Sequence, residues 1–261
     1  MKIKRKHKWL LAGILLALVY WWALAGTNTS PGNFINGIPN IIDYAGRMLP
    51  PDMSIIDLLL IRVLETIQIA IIGTTIGAIC ALPLSFLAAR NVMPKKAVYH
   101  AVRAFFDVCR GIHEIVWALL FVSMVGLGPF PGVLALGVHI TGALGKYFSE
   151  AIENINPQTI NAILSTGANR IQMIFHGIMP EVKSLFTGYV LYYFEHSFRA
   201  ATILGLVGAG GIGLELINSI KLFKSHEVLT IILVMVITVI AIDRIGAYIR
   251  KRAIGEIQII E

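Results

Sequence analysis

The chain has 261 residues, of which 56% are hydrophobic and 14% are charged. Soluble domains carry about 25% charged residues, so this composition excludes a soluble protein and predicts an integral membrane protein. The net charge of +7 could suggest nucleic acid, but the basic residues cluster at the ends of apolar segments, as cytoplasmic anchors do. We therefore expect no nucleic-acid partner, and the length fits a single transmembrane domain over residues 1–261.

A basic start precedes the first apolar run, which covers residues 9–25. This length is near the lower limit for a membrane-spanning helix, and the pattern also resembles a cleaved signal peptide. Tyr20, Trp21 and Trp22 stand where cleavage would occur. Aromatic residues are typical of the membrane interface, so we favour a retained first helix. The next segment, 26–54, is rich in Gly, Pro and Asn and is expected outside the membrane.

Further apolar runs follow, each about long enough to cross a bilayer as a helix. They cover residues 67–89, 105–127, 133–152, 185–207 and 228–249. Gly73 and Gly77 have the spacing that lets another helix approach closely. The sequence therefore predicts an all-α, polytopic membrane protein with about six transmembrane helices.

Basic residues are distributed unevenly between the segments that join these runs. Segments 2–8, 90–103 and 250–252 contain five, four and three Lys or Arg residues. The segments on the other side contain Arg47, Lys221 and Lys224. Because cytoplasmic segments carry the excess of Lys and Arg, both termini are predicted to be cytoplasmic. Residues 157–180 are then cytoplasmic too.

Residues 157–180 have helical periodicity but cannot cross a bilayer by themselves. Asn156 is expected to cap a helix that begins at Pro157, where the missing N–H costs nothing. Gly167 is expected to end that helix in the left-handed conformation. Asn169 can cap a second helix, with Gln172 at the spacing of a capping box.

Apolar residues recur at helical spacing in both expected helices. They are Ile160, Ile163 and Leu164 in the first helix, and Ile171, Ile174, Phe175 and Ile178 in the second. Pro180 is expected to end the second helix and open the next apolar run. We expect a helix–turn–helix that lies against a membrane domain and leaves one face free for a partner.

The same segment resembles the EAA loop, which has the pattern E-A-A-x-x-x-G followed further along by I-x-L-P. The matching residues are Asn161, Ala162, Ile163, Gly167, Ile178, Met179 and Pro180. Such loops mark the permease subunits of bacterial ABC importers, where they form a coupling helix that docks into a groove on the ATPase subunit. Asn161 replaces the glutamate of the motif and Met179 replaces its leucine, which affects a charged contact but leaves the helix–Gly–helix geometry. The resemblance implies that the ATPase contacts are Asn161, Ala162, Gly167, Ala168, Asn169 and Arg170.

Most of the chain after about residue 55 is similar to the phosphonate-type importer permeases. The similar parts are segments 115–136, 146–155 (with Glu150 and Glu153) and 191–213, together with Asp243. In the third apolar run, His113 and Glu114 stand in place of the Pro-Glu that is frequent in this family.

This resemblance implies the fold of a type I ABC importer permease in the bacterial inner membrane. The implied partners are a second permease copy in a homodimer, two ATPase subunits, an extracytoplasmic substrate-binding protein and membrane lipid. ATP and Mg²⁺ would bind the partner ATPase, so no cofactor is expected in this chain. Transport by alternating access is implied, and the implied substrate is an organophosphonate or a small phosphorus oxyanion such as phosphite.

Ionisable residues inside membrane spans are costly and often functional. Glu195 and Arg199 are four residues apart, so they are expected to pair on one helix face, either to hold two helices together or to line the substrate pathway. His113 and Glu114 are further pathway candidates, although charges near a helix end can also serve as anchors. His139 and Lys146 could face a shared cavity.

No residue pattern argues for an enzyme. Gly208-x-Gly210-x-x-Gly213 matches a dinucleotide fingerprint, but it follows a membrane helix and not a strand, so a compact turn is expected. No His, Cys, Asp and Glu cluster has metal-site spacing, and no nucleophile has an evident base. The rival interpretation is a secondary transporter or channel for a small anion, which predicts internal repeats and broken helices.

Overall fold

The computed structural model describes residues 2–27 and 31–254, and every regular element in these ranges is a helix. The all-α prediction is therefore confirmed. The chain divides into two compact units, Met1–Pro50 and Pro51–Glu261. The prediction of a single domain over residues 1–261 stays a prediction. It includes residues 1, 28–30 and 255–261, which lie outside the described residues.

The first unit contains two helices, α1 (Lys2–Gly26) and α2 (Pro31–Arg47). α1 includes the first apolar run. α2 lies in the segment rich in Gly, Pro and Asn, for which the sequence predicted no helix. α2 begins with Pro31, since proline is tolerated in the first helical turn. Asp43 pairs with Arg47 one turn later, which supports the last part of this helix.

The second unit is built from helices throughout its described part, residues 51–254. Its α-helices are α3 (Ile56–Leu87), α4 (Lys96–Gly111), α5 (Glu114–Val125), α6 (Pro129–Glu153), α7 (Pro157–Leu164), α8 (Arg170–Met173), α9 (Met179–Leu204), α10 (Ile212–Lys221) and α11 (Ser225–Ile254). A π-helical segment, Ile174–Ile178, joins α8 to α9, and short 3-10 turns occur at Met53–Ile55 and Gly205–Val207.

Within the described ranges, two helical stretches, Arg170–Lys221 and Ser225–Arg252, are long and apolar enough to cross a membrane. The pair α4–α5 becomes a third if it counts as one span. Six spans therefore stay a prediction. α3 begins at Ile56, before the expected start of its span at residue 67, and this first part of the helix contains an ion pair between Arg62 and Glu65 (2.8 Å).

The prediction of one continuous span over residues 105–127 is wrong. α4 and α5 meet at an angle of 87°. Ile112 and His113 between them have extended backbones, and Ile115 N–H donates to His113 Nδ1 (3.4 Å) as a weak cap of α5. Trp117 Nε1 donates to Cys109 O (3.1 Å) and so satisfies a carbonyl that the break leaves free. A broken helix is a feature that the rival transporter class predicts.

The core of the second unit lies along α6, whose Leu136, Ile140 and Leu144 are fully buried. α3 approaches α6 closely at Gly73 and Gly77. A Cβ at Gly73 would lie 2.7 Å from Leu136 Cβ, and one at Gly77 would lie 2.6 Å from Ile140 Cγ2. Side chains at both positions would collide with α6, so the predicted close approach is confirmed.

The glycines after α9 form the expected compact turn. Gly208, Gly210 and Gly211 all have positive φ, at +87°, +77° and +72°. Gly128 N–H donates to Gly208 O (3.0 Å), so this turn lies beside the turn that precedes α6. Both turns therefore occupy the end of α6 opposite to the 157–180 segment, which follows Glu153.

Candidate functional site

The segment 157–180, here called the coupling loop, begins as predicted. Gln158 N–H donates to Asn156 Oδ1 (2.9 Å), so Asn156 caps α7, and Pro157 is in its first turn. Ile160 is buried and belongs to the main core, which fixes α7 against the membrane domain. Asn161 and Ala162 lie on the exposed side of α7. The first helix of the loop therefore has one anchored face and one free face.

The hinge of the coupling loop also has the predicted geometry. Gly167 has φ +82°, and nothing lies within 4 Å of the position of a Cβ there. Gln172 N–H donates to Asn169 Oδ1 (2.9 Å) while Asn169 N–H donates to Gln172 Oε1 (2.8 Å), which completes the capping box. Both ends of the hinge are thus set by local hydrogen bonds and by a left-handed glycine.

The second helix of the coupling loop differs from the prediction. α8 is only four residues long, passes into the π-helical segment and continues into α9, so Pro180 lies in the first turn of α9 and does not end a helix. A π-helical turn contains an extra residue and changes the direction of the side chains that follow. Ile178 is accordingly buried, whereas Ile171 (66% exposed) and Phe175 (62%) face outward. The four predicted apolar residues therefore do not share one face.

The exposed surface of the coupling loop combines polar and apolar groups. Asn161, Ala162, Gly167, Asn169 and Arg170 are exposed and Ala168 is half-buried. The apolar groups beside them are Leu164, Ile171 and Phe175. Sequence reasoning missed this apolar contribution, since it assigned all three side chains to buried stripes. The loop carries two apolar stripes, which is more than one buried face requires. This excess was the sequence signal for an exposed apolar surface.

Glu153, the last residue of α6, holds the start of the coupling loop in place. Its Oε2 accepts from Arg103 Nη2 on α4 (2.8 Å), and its Oε1 accepts from Arg90 N–H (2.8 Å). Asn91 Nδ2 donates to Ile152 O (2.7 Å). The coupling loop is therefore tied to α4 and to the segment between α3 and α4.

That segment also forms one wall of a largely apolar groove beside the coupling loop. Arg170 and Ile174 contribute the coupling-loop wall, and the other wall comes from residues 86–98. Arg90, in the segment between α3 and α4, donates from Nε to Tyr99 Oη (2.8 Å), which raises the pKa of the Arg90 guanidinium above its ordinary value. This hydrogen bond joins the segment between α3 and α4 to α4.

The predicted pairing of Glu195 with Arg199 is wrong. Arg250 of α11 lies against the buried Glu195, with Nη2 2.8 Å from Oε1 and 3.0 Å from Oε2, and it donates to Oε2. Arg199 instead contacts Asp243 of α11 (3.4 Å). Two ion pairs therefore join α9 to α11, because oppositely charged partners on the neighbouring helix are better placed than those one turn away on α9.

His113 and Glu114 lie at the break between α4 and α5. The carboxylate of Glu114 is 8% exposed, and its Oε2 is 3.5 Å from His113 Nδ1 and 3.7 Å from His139 Nε2. The His139 ring stacks on His196 with ring centres 6.5 Å apart. The break thus collects three imidazoles around one buried carboxylate, and His139 lies near the middle of α6.

Lys146 does not share this histidine cluster. It lies near Asp107 (3.9 Å) and Glu150 (3.5 Å), and a cavity shared with His139 stays a prediction. Asp107 also accepts from Arg110. The pathway candidates form two separate groups, one at Glu195 and one at the helix break. Glu195 and His196, which belong to different groups, are successive residues of α9, so their side chains point about 100° apart.

Residues 81–255 match the family described as "Binding-protein-dependent transport system inner membrane component". The chain is 36% identical over 239 residues to the phosphite transport system permease protein PtxC of Stutzerimonas stutzeri, covering 92% of this chain and 86% of that protein. It is 42% identical over 214 residues to the putative phosphite transport system permease protein HtxC of the same organism, covering 82% and 76%.

A solved structure of the MetNI methionine ABC transporter in an inward-facing conformation has the same fold. The similarity has a TM-score of 0.68 at 19% identity and covers 77% of this chain and 99% of that chain. The helical architecture of the second unit is therefore that of an ABC importer membrane subunit. Since the family match covers most of this unit and the relatives are similar over most of their length, the chain belongs to the family of binding-protein-dependent transport system inner membrane components.

Proposed function

We propose that this chain is the membrane subunit of an ABC importer that moves a small phosphorus oxyanion, of the phosphonate or phosphite class, into the bacterial cytoplasm. An extracytoplasmic binding protein delivers the substrate, and ATP is hydrolysed on separate ATPase subunits. The substrate class is supported by the names of the two phosphite permeases to which the chain is similar.

The observation that carries this proposal is the exposed surface of the coupling loop. Leu164, Ile171 and Phe175 expose apolar side chains next to Asn161 and Arg170. Exposed apolar groups of this size, surrounded by polar ones, are typical of protein–protein contacts. The proposed partner is the ATPase, which also requires that the loop and both termini be cytoplasmic.

The continuity of the helical path suggests how ATPase movements reach the membrane. α8, the π-helical segment and α9 follow one another without a loop, from Arg170 to Leu204. A displacement of the coupling loop would therefore move α9, which carries Glu195, His196 and Arg199. Because Glu153 ties the start of the loop to α4, the helix break at His113 would move as well.

We place the translocation pathway along the side chains that α9 and the break present to the interior. Glu114 and His113 stand at the N-terminus of α5, where the helix dipole stabilises the buried Glu114 carboxylate and leaves the half-helix end beside the proposed pathway. Arg199 has a half-exposed side chain and can attract an anionic substrate. Glu195 is buried against Arg250 and has a positioning role, since it keeps the adjacent helices in register.

A second permease subunit completes the proposed assembly. We propose a homodimer of this chain, with two ATPases on the cytoplasmic side. Co-expression of two differently tagged copies of this chain in one membrane, followed by purification of the importer, tests the homodimer directly. Recovery of both tags in one purified importer supports the homodimer, and recovery of one tag with a different permease chain contradicts it.

The broken helix pair α4–α5 favours one alternative, a secondary transporter or channel for a small anion. The two functions differ in their energy source. The proposed importer needs ATP and its binding protein, whereas the alternative needs neither.

The test is uptake by proteoliposomes that contain the purified complex, with ATP inside and the binding protein outside. Phosphite and methylphosphonate are compared with phosphate and sulfate. Uptake of a phosphorus oxyanion that stops without ATP, or with a hydrolysis-deficient ATPase, supports the proposal. Equal uptake by the permease chain alone would favour the channel, and exclusive uptake of sulfate would contradict the substrate class.

A further inference from the structure

Phe223 occupies a backbone conformation that its residue type resists. Its φ is +56°, the one positive φ of a non-glycine residue in the ranges 2–27 and 31–254. A bulky residue with positive φ is a genuine outlier, and a backbone of this kind persists only where surrounding structure determines it.

The surrounding hydrogen bonds are those of a complete Schellman motif at the end of α10. Phe223 N–H donates to Ile220 O (3.1 Å) and Lys224 N–H donates to Ser219 O (3.0 Å). In such a motif the left-handed residue is usually glycine, because glycine has no Cβ to clash. Phe223 therefore stands where glycine would be more stable.

Among the described residues, the phenyl ring packs against almost nothing in return. Phe223 is 91% exposed, and the adjacent Leu222 is 65% exposed. A strained backbone that presents an unpacked aromatic ring is not explained by stability, so the explanation must lie outside the chain. Strain of this kind clusters at sites of recognition.

The tip that carries Phe223 is held firmly in place. Lys224 Nζ donates to Glu227 Oε1 (2.7 Å), whose other oxygen accepts from Ser219 Oγ (2.8 Å). Thr230 Oγ1 donates to Asp52 O (2.9 Å), which joins the start of α11 to the segment before α3. The backbone that carries the ring is therefore held in place, which lowers the ordering cost of inserting the ring into a preformed recess.

We infer that Phe223 is an anchor that inserts into an apolar recess on the extracytoplasmic substrate-binding protein, an inference that rests on the function proposed above. The predicted topology places Lys221 and Lys224 outside the cytoplasm, and the tip between them is outside as well. Lys221 is exposed beside the ring, whereas the ammonium of Lys224 is paired with Glu227, so we expect the complementary recess to present a carboxylate to Lys221. A lipid surface would accept an apolar side chain without a fixed backbone, which favours the protein partner.

The occupant of this site is identified by photo-crosslinking in intact cells. The photoreactive analogue p-benzoylphenylalanine replaces Phe223 in the full chain, expressed with its ATPase. Peptide mapping of the adduct is expected to identify an extracytoplasmic solute-binding protein, with the analogue at Phe130, also exposed, as the positional control. An adduct with lipid or with a second permease copy, or the absence of any adduct, would overturn the inference.

A second measurement separates docking from stability. Phe223→Gly and Phe223→Asn remove the ring and suit the left-handed backbone, whereas Phe223→Leu keeps an apolar side chain and the strain. We expect Phe223→Gly to raise the Tm of the purified complex by about 2–4 °C. The binding protein identified by crosslinking is then added in free form to each purified complex. Its concentration at half-maximal stimulation of ATP hydrolysis should rise about 10-fold for Phe223→Gly and Phe223→Asn, and less for Phe223→Leu.

Unchanged stimulation in Phe223→Gly would refute the anchor role even if its Tm rises. A wild-type complex that shows no stimulation by any binding protein would instead contradict the proposed function, so the two failures are distinguishable. Basal ATP hydrolysis without binding protein should be the same in all variants, since Phe223 lies at the end of the molecule opposite to the coupling loop.

Discussion

Arg250 of α11 lies 2.8 Å from the buried carboxylate of Glu195 on α9, and Gly246 provides the space that this carboxylate occupies. The side chain of Glu195 is 7% exposed and that of Arg250 is 30% exposed. One member of the pair is therefore fully desolvated while the other reaches water. Removal of Arg250 and removal of Glu195 should therefore reduce the stability of the protein by different amounts.

We predict that Arg250→Met destabilises the protein more than Glu195→Leu does. Arg250→Met leaves a buried carboxylate without its counter-charge, which typically costs about 3–5 kcal/mol. Glu195→Leu leaves a guanidinium that can still be hydrated, so its cost should be smaller. The double variant should be less destabilised than the sum of the two, which thermal unfolding of the purified complexes would measure.

The control for this cycle is the second ion pair between the same helices. Arg199 and Asp243 are 47% and 38% exposed and 3.4 Å apart, so Asp243→Asn, which keeps the shape of the side chain, should cost less than Arg250→Met does. Strict additivity of the Glu195 and Arg250 substitutions would show that these side chains do not interact.

Gly246→Ala should destabilise the protein although alanine favours helices. A Cβ there would lie 2.3 Å from Glu195 Oε1, and overpacking of this kind costs about 1–3 kcal/mol. In a Glu195→Ala background the obstruction is gone, so the same substitution should be neutral or stabilising. The measurement is Tm in both backgrounds. Gly37→Ala is the control, since nothing lies within 4 Å of a Cβ there, and a loss of Tm equal to that of Gly246→Ala would refute the steric explanation.

These contacts mark a limit of sequence reasoning. Glu195 and Arg199 have the ideal spacing for a pair within a helix, but such a pair contributes only about 0.2–0.5 kcal/mol. Partners on α11 outcompete it once the helices pack, and nothing in the local sequence identifies which residues of α11 face α9. The close helix approach at Gly73 and Gly77 was predictable, because small residues at that spacing by themselves allow a second helix to come near.

Glu153→Gln should loosen the start of the coupling loop. The glutamine amide can accept only one of the two hydrogen bonds that Glu153 accepts, and the charge partner of Arg103 is lost. We expect a cost of about 1–3 kcal/mol in stability, together with weaker stimulation of ATP hydrolysis by substrate. Glu150→Gln is the matched control, because Glu150 is more exposed and lies 3.5 Å from Lys146. Equal effects of the two variants would contradict the role of Glu153.

The coupling loop illustrates which signals are local. Asn156, Gly167 and the capping box of Asn169 and Gln172 act through backbone geometry within a few residues, so the sequence predicts them correctly. The π-helical segment and the break at His113 have no comparable local signature. Both depend on how α9 and α5 must pass the helices around them, and the sequence therefore predicted continuous or proline-terminated helices in their place.

Gly167 gives the sharpest test of the coupling loop. Its φ of +82° strains a β-branched residue by about 1–3 kcal/mol, whereas asparagine tolerates this conformation. Since nothing lies within 4 Å of a Cβ there, a difference between Gly167→Val and Gly167→Asn cannot arise from a collision within the chain.

Gly167→Val should therefore insert into the membrane normally but turn Ala168, Asn169 and Arg170 away from the ATPase. Gly167→Asn should retain most of the activity, because its backbone can stay in place. The measurement is ATP hydrolysis stimulated by the substrate-loaded binding protein in reconstituted complexes, with copurified ATPase as the assay of assembly. We expect Gly167→Val to lose both stimulation and bound ATPase. Normal assembly and hydrolysis by Gly167→Val would mean that this loop is not the element that couples ATP hydrolysis to transport.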